Sequence, residues 1–151
     1  MHIVPIPRDG NVNLAGITFQ EAMTAVIAST VQLYERRGYV DPWIGYLAIE
    51  GRNCVGACGF TSAPVGGITE IAYFTYPDFE KRGIATRMAQ QLISIAKDCD
   101  PSVRLIAHTL TEENVSTHIL KKLGFVFTGT VDHPEDGKIW EWSYEPKVNP
   151  A

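Results

Sequence analysis

Cysteine is scarce in this sequence, and its spacing does not build a framework. The three cysteines among 151 residues are Cys54, Cys58 and Cys99. An odd number without a C-x-x-C pair argues against disulfide cross-linking and against a zinc site. The four histidines also lack the spacing of metal ligands. We therefore expect no metal, and we interpret Cys54 and Cys58 as small packing residues on one face of a strand.

Long apolar runs are absent as well. No stretch reaches the roughly 18 consecutive apolar residues that a membrane-spanning helix needs. The first ten residues, MHIVPIPRDG, lack the basic region and apolar run of a signal peptide. These absences predict a cytoplasmic protein that does not enter a membrane.

The sequence has no excess of positive charge. Lys and Arg total 13 against 17 Asp and Glu, which gives a formal net charge of −4. Proteins that bind nucleic acids through the phosphate backbone are usually basic, so we do not expect nucleic acid as the main partner. An acidic balance suits a cationic partner such as an amine.

What is present is an ordinary globular composition, with 45% hydrophobic and 20% charged residues. This length predicts a single domain over residues 1–151. Strand patterns occur at residues 43–50, 54–60, 68–76, 103–109, 125–131 and 139–144, and helical patterns follow residues 18, 83 and 114. This order predicts an α/β fold with a mixed central sheet flanked by helices.

The first helical pattern carries its own start and stop signals. Thr18 and Glu21 have the spacing of a capping box. Apolar residues then recur at helical spacing as far as Tyr34, and Gly38 is a natural residue to follow the helix end. We predict a helix between Thr18 and Gly38.

The segment from residue 76 to residue 86 reads YPDFEKRGIAT and turns from a strand into a helix. The first N–H groups of a helix lack intrahelical partners and carry partial positive charge, so phosphates bind there. Gly83 would let a pyrophosphate approach the backbone, and Lys81 and Arg82 add positive charge. The segment matches neither a Walker loop nor a G-x-G-x-x-G motif, and an ordinary solvated helix start is the competing interpretation.

A second polar patch follows the strand at residues 103–109. Asn114, Ser116 and Thr117 cluster where the next helix begins. Helix capping alone explains such a cluster. Its position beyond a strand end would also let a polar side chain point into a cleft.

These landmarks together resemble the GNAT N-acetyltransferase superfamily, and most closely its ribosomal-protein-alanine-acetyltransferase-like branch. The family signature, Q/R-x-x-G-x-G/A, appears as EKRGIA at residues 80–85. The strand EIAYFTYP at 70–77, the NVS…LGF pattern at 114–125 and GKIWEW at 137–142 also match, and the resemblance covers about residues 18–146. One departure is Glu80, where the family usually has Gln or Arg, because it places negative charge near a polyanion.

The resemblance implies acetyl-CoA as cosubstrate and a GNAT-like fold. The strand end at Phe74, Thr75 and Tyr76 would pair with the pantetheine arm. The main-chain amides of Arg82, Gly83, Ile84, Ala85 and Thr86 at a helix start would hold the pyrophosphate. Asn114 would form a hydrogen bond near the pantetheine end.

N-acetylation needs a group that accepts the proton of the amine and a donor for the departing thiolate. The resemblance implies Glu70 as the base and Ser116 as the donor. His108 is the alternative base, because its unperturbed pKa is near neutral. A solvated strand-end carboxylate, a helix-start hydroxyl and a structural histidine are the competing interpretations of these residues.

The predicted function is therefore acetyl transfer to a primary amine in a direct ternary complex. The acceptor is a protein N-terminus, a polyamine or other small metabolite, or an amine-bearing antibiotic, and the sequence does not choose among them. Acceptor specificity is expected from the first helix, the loop at residues 61–67 and the final hairpin. Many similar enzymes are monomers or dimers, so the resemblance implies a monomer or a homodimer. The alternatives are a non-catalytic acyl-CoA-binding or sensory module on the same fold, and a plain protein-interaction domain.

Overall fold

One mixed sheet organises residues 1–146, which are the residues that the computed structural model describes; residues 147–151 of the predicted domain lie outside them. Three helices flank the sheet, which confirms the predicted fold class. In chain order the elements are β1 (His2–Pro5), α1 (Glu21–Arg37), β2 (Gly45–Glu50), β3 (Asn53–Phe60), β4 (Ile68–Thr75), α2 (Ile84–Cys99), β5 (Arg104–Thr109), α3 (Val115–Leu123), β6 (Phe125–His133) and β7 (Gly137–Tyr144).

The strand order across the sheet is β1-β2-β3-β4-β5-β7-β6. Every neighbouring pair is antiparallel except β4 and β5, which run parallel. This parallel pair is joined through α2, as a crossover connection requires. The predicted strands are confirmed with ends shifted by a few residues.

The first strand is an addition to the prediction. β1 pairs antiparallel with β2 at the sheet edge, with Ile3 opposite Ala48. Four residues that end in Pro5 are too few to show an alternating pattern, so no strand is predicted there.

The predicted capping box at the start of α1 is wrong. The helix begins at Glu21 after Gln20, and no side chain caps it. Thr18 instead forms a bridge with Asn53, and its N–H donates to the carbonyl of Arg52 at 2.7 Å. This tertiary pairing holds Thr18 in extended backbone outside the helix. The predicted stop is confirmed, because Gly38 follows the helix end with φ 91°.

The helices lie on opposite faces of the sheet. A Cβ on Gly45 would lie 2.7 Å from a methyl of Thr30 on α1, and Gly45 pairs with Gly59. A Cβ on Gly56 would lie 3.1 Å from Met88 on α2. Because successive residues of β3 point to opposite faces, α1 covers one face and α2 the other. We call these the α1 face and the α2 face.

The apolar core between the sheet and α2 positions the helix start. The side chains of α2 that point to the sheet are buried and recur at helical spacing, as the sequence predicts: Met88, Ala89, Leu92 and Ala96. Their partners on β4, β5 and β7 are also buried: Ile71, Leu105 and Trp142. This packing fixes where the first turn of α2 lies relative to the end of β4.

One side of α3 is buried against the sheet, but Val115 does not belong to it. Its side chain is 75% exposed, whereas Leu120 is buried. Thr117, three residues before Leu120, is fully buried and lies on the inward side instead. The helix begins at Val115, so this first residue projects into solvent.

Candidate active site

The parallel strands β4 and β5 separate in the middle of the sheet. Their pairing runs only from Ile68 opposite Arg104 to Glu70 opposite Ile106. β4 continues to Thr75 and stays paired with β3 on its other side, as far as Gly56 opposite Thr75. Beyond Glu70, therefore, one edge of β4 has no neighbouring strand within residues 1–146. We call this stretch the free edge of β4, and the gap beside it the cleft.

The predicted pantetheine residues lie at the end of this free edge. Phe74 is 55% exposed, whereas the side chain of Tyr76 is buried in the core. The main chain of Tyr76 is also engaged within the protein, because its N–H donates to the carbonyl of Val55 and its carbonyl accepts from the N–H of Phe79, each at 2.9 Å. The hydroxyl of Thr75 is buried and has no hydrogen-bond partner among the described residues. An unpaired backbone edge and an unpaired hydroxyl suit an amide-bearing chain that adds itself like a strand.

The start of α2 lies just beyond the end of β4. A short 3-10 turn at Pro77–Phe79 follows the strand, and Gly83 precedes the helix with φ 73° and ψ 15°. This left-handed backbone is strained for a residue with a Cβ. No described protein group accepts a hydrogen bond from the amides of residues 82–86. A helix start of this kind fits a pyrophosphate, as the sequence predicts.

The side chains around this helix start do not block it. Ile84 is buried in the core, so only its amide faces the loop. The guanidinium of Arg82 lies 5.5 Å from the ring centre of Phe79, and Lys81 has φ 65°. Arg82, Lys81 and Glu80 are exposed, so both cations and the carboxylate remain near the amides.

Glu70, His108 and Glu141 meet where the strands separate. Nδ1 of His108 lies 3.1 Å from Oε1 of Glu70, and Nε2 lies 3.1 Å from Oε1 of Glu141. His108 is directly opposite Glu141 in the β5–β7 pairing. The pairing registers place all three side chains on the α1 face. We call this set the acidic cluster.

The acidic cluster favours a charged imidazole. Hydrogen bonding to Glu70 raises the pKa of His108 above its ordinary value of 6.5; burial opposes this shift, and Glu141 adds to it. Only a protonated ring has two N–H donors, so only that form donates to both carboxylates at once. Two carboxylates beside one imidazole leave the cluster with an excess of acidic groups even when the ring is protonated, which suits a cationic amine.

The start of α3 borders the cleft on the other side. Asn114 precedes the helix, and its Oδ1 accepts from the N–H of Thr117 at 3.1 Å. Thr117 returns a hydrogen bond from the N–H of Asn114 to its Oγ1 at 2.9 Å, which completes a capping box. Ser116 is exposed in the first turn. The capping interpretation of Asn114 is thereby confirmed, and Asn114 also lines a polar cavity beside the cleft.

Two cavities adjoin at the acidic cluster, and a third lies next to the smaller of them. A polar cavity of about 360 Å³ is lined by Glu70, His108, Asn114, Ser116 and residues of the β6–β7 turn. A smaller one of about 120 Å³ lies in the cleft between β4 and β5 and shares Glu70, His108 and Ser116 with it. A third of about 360 Å³, the apolar cavity, lies between α1 and the sheet and shares Ala72 and Tyr73 with the cleft.

The structure therefore brings Glu70, Ser116, Asn114 and the alternative base His108 to one place. Glu141 is a residue that sequence reasoning missed. The sequence feature that could have found Glu141 is its position between Trp140 and Trp142. In a strand, a residue between two tryptophans points to the opposite face from their side chains. The alternation placed it on a face but did not show what it contacts.

The cysteines are not placed for catalysis. Cys54 and Cys58 are buried, which agrees with their interpretation as packing residues. Burial raises the pKa of Cys58 to about 12, and burial also raises the pKa of Cys54. Both thiols therefore stay protonated at neutral pH and are poor nucleophiles.

Residues 1–146 lack two further features. No group of three or more His, Cys, Asp or Glu side chains is arranged to hold a metal ion there. Within the same range, no helix has both the length and the apolar character that crossing a bilayer requires.

Comparison with known proteins supports this architecture. A family model described as an acetyltransferase (GNAT) domain matches residues 16–126. No curated protein matches the chain in sequence.

Several solved structures are similar in fold. A ribosomal-protein-alanine acetyltransferase from Vibrio fischeri superposes with a TM-score of 0.67 at 13% identity, over 95% of this chain and 94% of that one. A chimera of the spermidine N-acetyltransferase SpeG from Vibrio cholerae gives 0.66 at 11% identity, over 95% and 94%. The ribosomal-protein N-acetyltransferase RimL in complex with coenzyme A gives 0.63 at 18% identity, over 83% and 72%.

Proposed function

The chain belongs to the GNAT acetyltransferase family, and from that premise we propose that it transfers the acetyl group of acetyl-CoA to a primary amine in a ternary complex. The observation that carries the proposal is the separation of β4 from β5 directly after Glu70, with the acidic cluster at the point of separation. A cofactor chain in the cleft and an amine on the α1 face would meet there. The acceptor class is a primary amine.

The cofactor side of the proposal is supported by groups that lack protein partners. The amides of residues 82–86 would hold the pyrophosphate, and the free edge of β4 would bond to the pantetheine arm. Acetyl-CoA supplies the activated acetyl thioester. The exposed Glu80 lies beside two cations, Lys81 and Arg82, which offset its charge near the phosphates.

The acceptor side is supported by the charge of the acidic cluster. The amine must lose a proton to attack the thioester carbonyl, and Glu70 is the carboxylate at the cleft that accepts it. His108 donates from both ring nitrogens while it is charged, so we assign it to holding Glu70 rather than to taking the proton. Ser116 borders both the cleft and the polar cavity, and we assign its hydroxyl to protonating the leaving thiolate.

Direct transfer is favoured over a covalent acyl-enzyme. An acyl-enzyme would need an ionised or activated nucleophile beside the cleft. The two buried thiols, Cys54 and Cys58, have raised pKa values, and neither lines the small cavity between β4 and β5. The amine itself is therefore the group that attacks the acetyl carbon.

The central test is thiol release from acetyl-CoA over a panel of primary amines, with mass spectrometry of the products. Replacement of Glu70 by Gln removes the proposed proton acceptor with little change in shape. We expect kcat to fall about 100-fold, the lower range for loss of a general base. The affinity for coenzyme A should change little, because Glu70 is not among the proposed cofactor ligands.

The matched control is Glu35→Gln, which makes the same change at an exposed position near the end of α1. It should keep wild-type turnover. If the protein binds coenzyme A but turns over none of the amines, the non-catalytic acyl-CoA-binding alternative replaces this proposal. Equal activity of Glu70→Gln and the wild type would remove Glu70 as the base.

A further inference from the structure

The apolar cavity lies on the α1 face and adjoins the cleft at Ala72 and Tyr73. Its floor comes from β3 and β4, including Gly59, Ala72 and Phe74, and its wall from one side of α1, including Val26, Ser29 and Leu33. Ala72 follows Glu70 by two residues on the same face of β4, so the backbone positions of the two residues are about 7 Å apart along the strand. Its volume of about 360 Å³ lies within the range of small-molecule sites.

None of the described residues that line this cavity is ionised at neutral pH. The lining contains no Asp, Glu, Lys, Arg or His. Its two titratable residues are Cys58 and Tyr73, and burial raises the pKa of each to about 12. The small side chains of Gly45, Ala57 and Gly59 leave the space open.

Negative charge is confined to the other end of the site. Glu70 and Glu141 belong to the acidic cluster, and Asp136 lines the polar cavity beside His133 at 3.4 Å. A ligand that spans the two regions therefore meets carboxylates at one end and only apolar or neutral groups at the other. A second ammonium in the apolar cavity would lose its hydration without gaining a partner.

From this polarity we infer that the acceptor is a primary monoamine with an apolar aliphatic or arylalkyl chain, whose ammonium lies at Glu70 and whose chain fills the apolar cavity. The inference rests on the proposed function and narrows it. It disfavours polyamines, although the chimera of a spermidine acetyltransferase has a similar fold. Similarity of fold does not fix the acceptor pocket.

The test compares three amines as acceptors: butylamine, hexylamine and hexamethylenediamine. Hexylamine should exceed butylamine in kcat/KM roughly tenfold, because two more methylene groups leave water. It should exceed the diamine by at least about tenfold, since the two differ chiefly by the second ammonium, which has no partner in the cavity. Equal rates for hexylamine and the diamine, or no effect of chain length, would overturn the inference.

Two adjacent positions on α1 provide a variant and its control. Ser29 lines the apolar cavity, whereas Ala28 lies on another side of the helix, and both are exposed. Ser29→Phe should fill the cavity and remove the preference for hexylamine while coenzyme A affinity is unchanged. Ala28→Phe introduces the same ring and should leave both properties as in the wild type. If Ser29→Phe weakens coenzyme A as strongly as hexylamine, the cavity holds the cofactor arm and the inference is wrong.

Direct binding separates failure of this inference from failure of the proposed function. Calorimetry measures hexylamine binding to the complex with coenzyme A, without turnover. Binding that is lost in Ser29→Phe but kept in Ala28→Phe supports the amine site even if no acetyl transfer occurs. A peptide with a polar N-terminal residue that is acetylated faster than hexylamine would overturn the inference and leave the transferase proposal standing.

Discussion

The carboxylate of Glu141 contacts His108 on the side of the ring opposite Glu70. The two contacts have the same length, 3.1 Å, although they come from different strands. A ring held on both sides cannot rotate without losing a charged hydrogen bond, and such bonds are stronger than neutral ones. Glu141 is therefore a positioning residue that acts on Glu70 through His108.

Replacement of Glu141 by Gln tests this role. The amide keeps the shape but loses the negative charge, so the pKa of His108 should fall relative to the wild type while remaining influenced by Glu70. The acetylation rate should fall severalfold, and any limb of its pH profile that reports His108 should move to lower pH. NMR titration of the His108 ring in the protein without ligands measures the first effect without relying on activity.

Glu145→Gln is the control for this experiment, because it makes the same change one residue beyond β7 at an exposed position. It should leave the titration of His108 as it is in the wild type. An unchanged pKa of His108 in Glu141→Gln would show that the 3.1 Å contact does not influence the ring.

At the scale of elements, the site depends on where β4 ends and α2 begins. β4 is paired on both sides only as far as Glu70, and its free edge leads to the open amides before α2. The buried face of α2 holds this junction in place against the sheet. The helix start and the strand edge thus form one continuous surface for a long ligand with a charged end.

Gly83→Glu tests the helix start. The substitution puts a negative charge and a side chain where the pyrophosphate is expected, so coenzyme A should no longer raise the melting temperature. For the wild type, a coenzyme A concentration of about 100 times Kd adds roughly 2.7 kcal/mol, or about 5–10 °C for a domain of this size. Thermal unfolding with and without coenzyme A measures the shift in melting temperature of the wild type and of Gly83→Glu.

Gly66 offers a matched control for the strain of this change. Gly83 and Gly66 have φ 73° and 60°, and at neither position would a Cβ meet a heavy atom within 4 Å. Both variants therefore carry a similar backbone strain of about 1–2 kcal/mol. Gly66 precedes the opposite end of β4, so Gly66→Glu should retain the thermal shift with coenzyme A. Retention of the shift in Gly83→Glu as well would place the phosphates elsewhere.

At the scale of the whole molecule, the acidic cluster links β4, β5 and β7 across the separation of the strands. Because the folded state raises the pKa of His108 above 6.5, it binds the proton more tightly than the unfolded chain does. The resulting stabilisation is fully present below pH 6.5 and is lost as the pH rises through the raised pKa.

Denaturant unfolding of the wild type and of His108→Gln at several pH values tests this linkage. The difference in their free energies of unfolding should be largest below about pH 6.5 and should shrink as the solution becomes more alkaline. His118→Gln, at an exposed position on α3, is the control and should follow the wild-type pH dependence. A constant difference for His108→Gln across the range would contradict the predicted linkage.

Two properties of the whole protein stay predictions. The cytoplasmic location rests on the sequence alone, and so does the expectation of a monomer or homodimer. Sedimentation of the purified protein over a range of concentrations addresses the second.

Local sequence patterns were enough to predict the three helices, six of the seven strands and the glycine that precedes α2, because these depend on interactions between near neighbours. Each of these signals lies within a few residues of the structure it predicts. They are the helical periodicity, the stop at Gly38, the cap at Asn114 and the glycine before α2. The predicted capping box at Thr18 is wrong because Thr18 pairs instead with Asn53, a residue that is distant in sequence.

Only the tertiary structure decided which side chains share the site. His108 and Glu141 are 33 residues apart in sequence, and only the register of the β5–β7 pairing places them in contact. A shift of that register by one residue would turn Glu141 to the α2 face and break the acidic cluster. The apolar cavity has the same origin, because its wall and floor come from α1 and from strands that follow it in the chain. Long-range pairing is a property of the whole sheet, and no local pattern encodes it.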